Sequence, residues 1–274
     1  TLIGKDEIIF TDRANHASIV DGSRLAFGET VRYRHNDMNH LERLLAKHKD
    51  APGKVIIADG VFSMEGDIVK LPEMASLAEK YGARIIIDDA HSIGVLGQHG
   101  RGTGEHYGME GKVDLVIGTF SKSFASIGGF VVGDHYVIDY IKHHARSLIF
   151  SASMPPASTA AVIAAVDILE KEPERIEWLW RNVHKMKKAF DDLGFNTGGT
   201  QSPIIPIHIG EDMQTFEFWR MLFQGGIFTN PVISPAVPQG HGLIRTSYMA
   251  THTNEILDQI IEAFARIGKQ IGLI

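Results

Sequence analysis

The stretch that most limits what this chain can become is 83–94, where Ala83-Arg84-Ile85-Ile86-Ile87 runs directly into Asp88-Asp89-Ala90-His91-Ser92-Ile93-Gly94. A strand with one wet face alternates polar and apolar residues, whereas a strand buried on both faces is a continuous apolar run. Residues 83–87 are of the second kind. Residues 54–58 form another such strand and lead into Asp59-Gly60-Val61-Phe62-Ser63-Met64-Glu65-Gly66-Asp67, a glycine-containing loop whose Ser63 could reach a ligand. A third apolar strand, 114–118, leads into Thr119-Phe120-Ser121-Lys122-Ser123. With the helical stretch 71–81 between the first two, this βαβ rhythm predicts a largely parallel sheet flanked by helices. Open α/β sheets bind ligands at the carboxyl ends of their strands, which is where these polar loops fall.

The rest of the chain extends the pattern. Residues 8–10 and 31–35 are strands, 19–26 is helix-like, and Asn36-Asp37 caps a helix that carries Leu41, Leu44 and Leu45 on one side. A strand at 129–133 and a helix at 135–147 follow, then a break at Phe150-Ser151-Ala152-Ser153-Met154-Pro155-Pro156 and an Ala-rich helix through 168. The long amphipathic helix 175–193 is closed by Gly194. Beyond Gly199 the order becomes strand 204–209, helix 213–224, strands 227–232 and 242–249, helix 254–271. This places a large α/β domain at 1–170 and a smaller α+β domain at 171–274, with no internal repeat.

Composition narrows the class. A chain of 274 residues that is 44% hydrophobic and 22% charged can bury a large core. Its formal net charge of -6 gives no general electrostatic case for nucleic acid or an anionic membrane surface. Zero cysteines exclude disulfides and thiolate metal sites, and no metal site is read from the pattern. No apolar run approaches the ~20 residues of a membrane span, and no signal-peptide pattern opens the chain. A cytoplasmic location is the default expectation. Thr1 is not an initiator methionine, so the sequence is consistent with a start inside a longer protein.

Three residues carry chemistry on their own account. Lys122, between two serines just after an apolar strand, is either a surface-loop lysine or one held to condense with an aldehyde, with the Thr119 and Ser121 hydroxyls beside it to hold a phosphate. Asp88 is either a strand-end cap or the partner of a pyridinium nitrogen. His16, at a strand-to-helix junction, either bonds to backbone or stacks on a flat aromatic cofactor.

Four motifs together, Asn15-His16-Ala17-Ser18, Asp88 to Gly94, Thr119-Phe120-Ser121-Lys122-Ser123 and Gly128-Gly129, resemble the α-oxoamine synthase family of fold-type-I pyridoxal-phosphate enzymes. The likeness spans nearly the whole chain, and the order and spacing of four motifs make it specific. It implies a fold-type-I PLP-dependent transferase with pyridoxal 5'-phosphate as cofactor. It also implies roles: Lys122 as the cofactor-bound lysine, Asp88 on the pyridine nitrogen, His91 and Ser63 beside the ring hydroxyl, Thr119 and Ser121 on the phosphate, and His16 stacked on the ring. Farther on, Asn230-Pro231-Val232-Ile233-Ser234-Pro235-Ala236-Val237-Pro238 followed by Leu243-Ile244-Arg245-Thr246-Ser247 matches the family's carboxylate-binding arginine at Arg245.

The reaction implied is a decarboxylating condensation of an amino acid with an acyl-CoA. Within the family, the Ser-Pro-Ala-Val-Pro run and the histidine spacing look most similar to members that join L-serine to a long-chain acyl-CoA such as palmitoyl-CoA, the first step of sphingolipid synthesis. Siblings using glycine or alanine with other acyl-CoAs share nearly every motif. The resemblance further implies a homodimer with a shared active site, in which Ser151 reaches the phosphate of the neighbouring subunit. Membrane contact is not indicated. The family's N-terminal segment, with its glycine-rich loop and part of the acyl-binding surface, has no counterpart in this sequence.

Overall fold

The computed structural model describes all 274 residues. Strand β1 (Ile8–Asp12) is buried at every position because it lies inside a sheet rather than at its rim. Its sheet has six strands in the order β2-β1-β3-β4-β5-β6. These are β2 (Glu29–Tyr33), β3 (Lys54–Asp59), β4 (Arg84–Asp88), β5 (Leu115–Thr119) and β6 (Gly129–Gly133). Pairing is parallel from β2 through β5, and β6 runs antiparallel to β5.

The crossovers carry α1 (Ala17–Leu25), α2 (Met38–Lys47) and α3 (Leu71–Tyr81), followed by the short α4 (Thr103–His106) and a 3-10 turn at Glu110–Lys112. Asp37 caps α2, its Oδ1 accepting the His40 N–H at 2.8 Å. Leu41 and Leu45, one turn apart on that helix, are fully buried with Phe10, Ile56, Phe62, Leu71, Met74 and Ile85. Side chains at this spacing share one helix face, and here that face closes the core. Because the four parallel pairings deliver the carboxyl ends of β1 through β5 to one edge, polar residues far apart in sequence gather there.

After β6 come α5 (His135–His144), α6 (Arg146–Ile149) and α7 (Pro156–Lys171). Where one helix is expected over 135–147, Ala145 takes an extended conformation, φ -76° and ψ 99°, and divides it. The short α4 and the 3-10 turn have no sequence expectation behind them, since neither is long enough to show a period.

The chain divides into two compact units, 1–62 with 68–173, and 63–67 with 174–274. The second contains α8 (Glu174–Leu193), β7 (Ile204–Gly210), α9 (Asp212–Gln224), β8 (Asn230–Val232), β9 (Gly242–Ser247) and α10 (Asn254–Gln270). Its sheet is antiparallel in the order β7-β9-β8. Phe190, Phe218 and Phe264 pack as neighbouring rings in its core, with Phe190–Phe264 centroids 4.8 Å apart and Phe218–Phe264 5.4 Å. Asn182 on α8 donates from Nδ2 to the carbonyls of Met249 and His252, at 2.9 and 3.0 Å, and so ties the end of this unit's sheet to that helix. Residues 227–229, expected as strand, stay outside β8, because the Gly225-Gly226 turn that ends α9 still holds Ile227 N–H on Leu222 O at 2.9 Å.

Candidate active site

Strands β3, β4 and β5 end on Asp59, Asp88 and Thr119, and β1 passes into the turn that carries Asn15 and His16. Asp88 and Asp89 point opposite ways, as successive residues of an extended chain do. Asp89 is buried, with Oδ1 2.5 Å from Thr103 Oγ1 and Oδ2 accepting the Thr103 N–H at 3.0 Å. Burial pushes its carboxyl above the usual range. Gly60 makes room for this arrangement, since a Cβ there would lie 2.2 Å from both Asp89 Oδ1 and Thr103 Oγ1. Asp88 is half-buried, and its Oδ1 accepts the Ala90 N–H at 2.9 Å. Asp89 therefore holds the loop, and the second oxygen of Asp88 is left for a cationic partner.

His91 lies half-buried in that loop. Two residues on, Ile93 O accepts a hydrogen bond from Ser123 Oγ at 2.7 Å, which fastens the loop after β4 to the residue next to Lys122. The turn holding Lys122 is itself closed on both sides. Phe120 N–H donates to Gly128 O at 3.0 Å, Ser126 N–H to Phe120 O at 2.8 Å and Ala125 N–H to Lys122 O at 3.0 Å. Ala125 has φ 47°, a left-handed conformation that costs a non-glycine residue of order 1–3 kcal/mol and persists only where its surroundings impose it. Behind the turn, Phe120 packs on Phe124 and Phe130, with centroids 5.6 and 5.4 Å away. Gly118 is small because the Phe130 ring crosses it from the antiparallel partner strand, where a Cβ would meet the ring at 2.3 Å.

Thr119 Oγ1 lies 2.9 Å from Ser121 Oγ, accepts the Ser121 N–H at 3.2 Å and lies 3.2 Å from Gly128 O. Hydroxyls and an amide thus converge just before Lys122, which is exposed. His16 is the N-cap of α1. Its ring Nδ1 faces Ser18 Oγ at 2.8 Å and the Ser18 N–H at 3.3 Å, an arrangement that fixes the ring direction. Ser151 lies exposed just past α6, its N–H 3.4 Å from Leu148 O.

The remaining two expected site residues, Ser63 and Arg245, lie together in the second unit: Arg245 Nε donates to Ser63 O at 2.6 Å. Arg245 sits on β9 and lines a cleft of about 430 Å³ with Phe228, Asn230, Ser247, Tyr248 and His252. It is half-buried, makes no ion pair, and burial lowers its pKa, the mark of a cation that has lost water without gaining an anion. Two further residues, Asn15 and Asp59, enter the first unit's strand-end cluster without having been singled out in the sequence. The signal for Asp59 is the one that marks Asp88, a carboxylate ending a buried strand.

A family model for class I and II aminotransferases matches residues 1–264. The chain belongs to this family, and within it to the α-oxoamine synthases. It is 51% identical to a serine palmitoyltransferase of Sphingobacterium spiritivorum over 98% of this chain and 67% of that protein. It is 44% identical to an 8-amino-7-oxononanoate synthase of Thermoanaerobacter pseudethanolicus, over 100% of this chain and 69% of the other. Among solved structures, the serine palmitoyltransferase of Sphingomonas wittichii superposes with a TM-score of 0.96 at 37% identity, covering 100% of this chain and 69% of that one. The chain spans about two thirds of the length of the curated relatives it matches.

Proposed function

We propose that this chain, within its full-length protein, catalyses the decarboxylating condensation of L-serine with a long-chain acyl-CoA such as palmitoyl-CoA, giving a 3-keto long-chain base, carbon dioxide and free CoA. The observation that carries the reading is the set of donors at one sheet edge, an open carboxylate oxygen on Asp88 and paired hydroxyls on Thr119 and Ser121 beside Lys122. The cofactor is pyridoxal 5'-phosphate, and this donor set suits it. Asp88 matches a protonated pyridine nitrogen, Thr119 and Ser121 match a phosphate, and the Lys122 amine matches an aldehyde. When bound, the cofactor supplies an electron sink for charge that develops at the amino-acid Cα.

The protein's own part is to bind, orient and move protons. Asp88 would keep the ring nitrogen protonated by offering a fixed negative charge. His16 would offer a flat ring to the cofactor face, and the roles proposed for His91 and Ser63 are to attend the ring hydroxyl. With the cofactor bound, the Lys122 amine would act as general base and take the proton from the serine Cα. Arg245, already desolvated and uncompensated, recovers the cost of its burial when the serine carboxylate arrives, and its planar fork accepts that carboxylate through two parallel hydrogen bonds.

A homodimer belongs to the same proposal, with Ser151 reaching the phosphate of the neighbouring subunit's site. Supporting it, Phe150 is 79% exposed and Ile163 60%, far from the usual state of large apolar side chains. No helix is long and apolar enough to cross a membrane; a cytoplasmic location is a separate part of the proposal.

The likeness to 8-amino-7-oxononanoate synthase favours one second reading, a sibling condensation with a different amino acid and acyl donor, as in that enzyme or in glycine C-acetyltransferase. Incubating the full-length protein with serine, glycine and alanine separately, each with palmitoyl-CoA, decides between them. Long-chain base is expected from serine. Turnover with glycine or alanine alone would overturn the serine assignment.

A further inference from the structure

Asp59 ends β3 one strand away from Asp88, and the two are in-register neighbours, so their side chains stand on the same face of the sheet at its carboxyl edge. Asp59 is 5% exposed, and its side-chain Oδ2 accepts the backbone N–H of His16 at 2.9 Å. The contact is reciprocal. Asp59 N–H donates to Asn15 Oδ1 at 2.9 Å, and Asn15 Nδ2 donates to Ile57 O at 2.9 Å and Thr11 Oγ1 at 2.8 Å. The turn that carries His16 is thereby sewn to the end of β3, and the Asp59 carboxylate makes the stitch nearest to the histidine.

A structural role alone would not need a carboxylate here. An amide could accept the His16 N–H equally well, and burying an acid beside a second acid is costly unless the charge is used. The groups that face Asp59 are Asp88 on β4, Asp12 on β1, the Tyr33 phenol on β2 and Lys122 from the turn after β5. Burial and then Asp88 push its carboxyl up to about 7, against the His16 N–H and Lys122, which lower it. Near neutral pH it therefore exchanges a proton, and the edge that holds Lys122 gains or loses one negative charge.

Resting on the functional reading above, we propose that Asp59 is a positioning residue for the reaction: it fixes the backbone of His16 and supplies a second carboxylate that tunes the charge on the Lys122 nitrogen. A carboxylate near a cationic nitrogen favours its protonated form, so removing Asp59 should let that nitrogen lose its proton at lower pH.

The test uses the full-length protein loaded with pyridoxal 5'-phosphate and the variants Asp59→Asn and Asp59→Ala. The first readout is the pH midpoint of the visible band that Lys122 gives with the cofactor. The second is the serine dissociation constant, from titration of that band. Both variants are expected to move the midpoint down by at least about half a pH unit. Asp59→Ala, which also loses the His16 anchor, is expected to weaken serine binding about tenfold, and Asp59→Asn, which keeps an acceptor, less than that. A parent protein with no visible band would overturn the functional reading, and this proposal with it. A band in the parent with the Asp59→Asn midpoint unmoved would overturn the proposal alone, whether or not Asp59→Ala folds. Equal serine affinity in Asp59→Ala and the parent would remove the positioning role.

Discussion

The β1–β4 half of the large sheet and the stretch from β6 to α7 belong to the same unit, yet they are finished in opposite ways. In the first, Phe10, Leu41, Leu45, Ile56, Leu71 and Met74 are wholly enclosed. In the second, Val132 is 56% exposed, Tyr136 82% and Phe150 79%, and α7 buries only Val162. The second stretch is no less apolar in sequence than the first, so the difference is one of cover. The first region draws its stability from its own helices, and the second presents core-like residues with no core around them. The turn holding Lys122 sits where the two meet, with β5 on one side and β6 on the other.

The largest effects separate chemistry from packing. Lys122→Ala should lower turnover by a factor on the order of 10²–10⁴ or more, because both the amine that joins the cofactor and the proton acceptor are lost. Since Lys122 is exposed, the melting temperature of the cofactor-free protein should barely move. A large fall in melting temperature would mean that the lysine is a packing element and not a reagent. Phe10→Ala acts on the opposite side of the contrast. It empties a wholly buried site in the self-sufficient half and should cost about 3–5 kcal/mol in chemical denaturation. A cost below about 1 kcal/mol would show that this half is less closely packed than its burial suggests.

Arg245→Lys keeps the charge and loses the fork. Serine binding should weaken by about 1.5–3 kcal/mol, roughly ten- to a hundredfold, with the cofactor absorbance unchanged. A serine dissociation constant within about twofold of the parent, only ~0.4 kcal/mol, would remove Arg245 from the carboxylate site.

Much of this was legible in the sequence, and the exceptions have physical causes. Helix α3 and strand β6 lie where the sequence pattern predicts them, because apolar patterns bounded by glycine or proline leave little choice. The antiparallel direction of β6 was not legible, since strand direction is set by connection length and pairing and not by side-chain pattern. Neither was the division of labour between Asp88 and Asp89. It depends on Thr103 and on the space left by Gly60, both distant in sequence. Asp59 was missed because a carboxylate after a strand is commonly a cap. Its pairing with the His16 backbone spans 43 positions, and no local pattern reports that.

The smallest expected effect on stability is also the one that tests the contrast most directly. Phe150 lies at the end of α6, so exposed that replacing it with serine removes little buried apolar area from its own chain. Surface substitutions of this kind usually change stability by no more than about 0.5 kcal/mol. If the β6–α7 stretch is covered by a second copy, the same aromatic ring is an interface anchor, and truncating an anchor costs more than about 1 kcal/mol of association, roughly fivefold. Phe150→Ser should therefore leave the denaturation midpoint of the dissociated protein in place while weakening self-association at least about fivefold in sedimentation equilibrium. The reverse result, a stability loss above about 2 kcal/mol with association unchanged, would mean that the ring is covered by the protein's own chain, and the contrast between the two regions would then be one of connection and not of partnership.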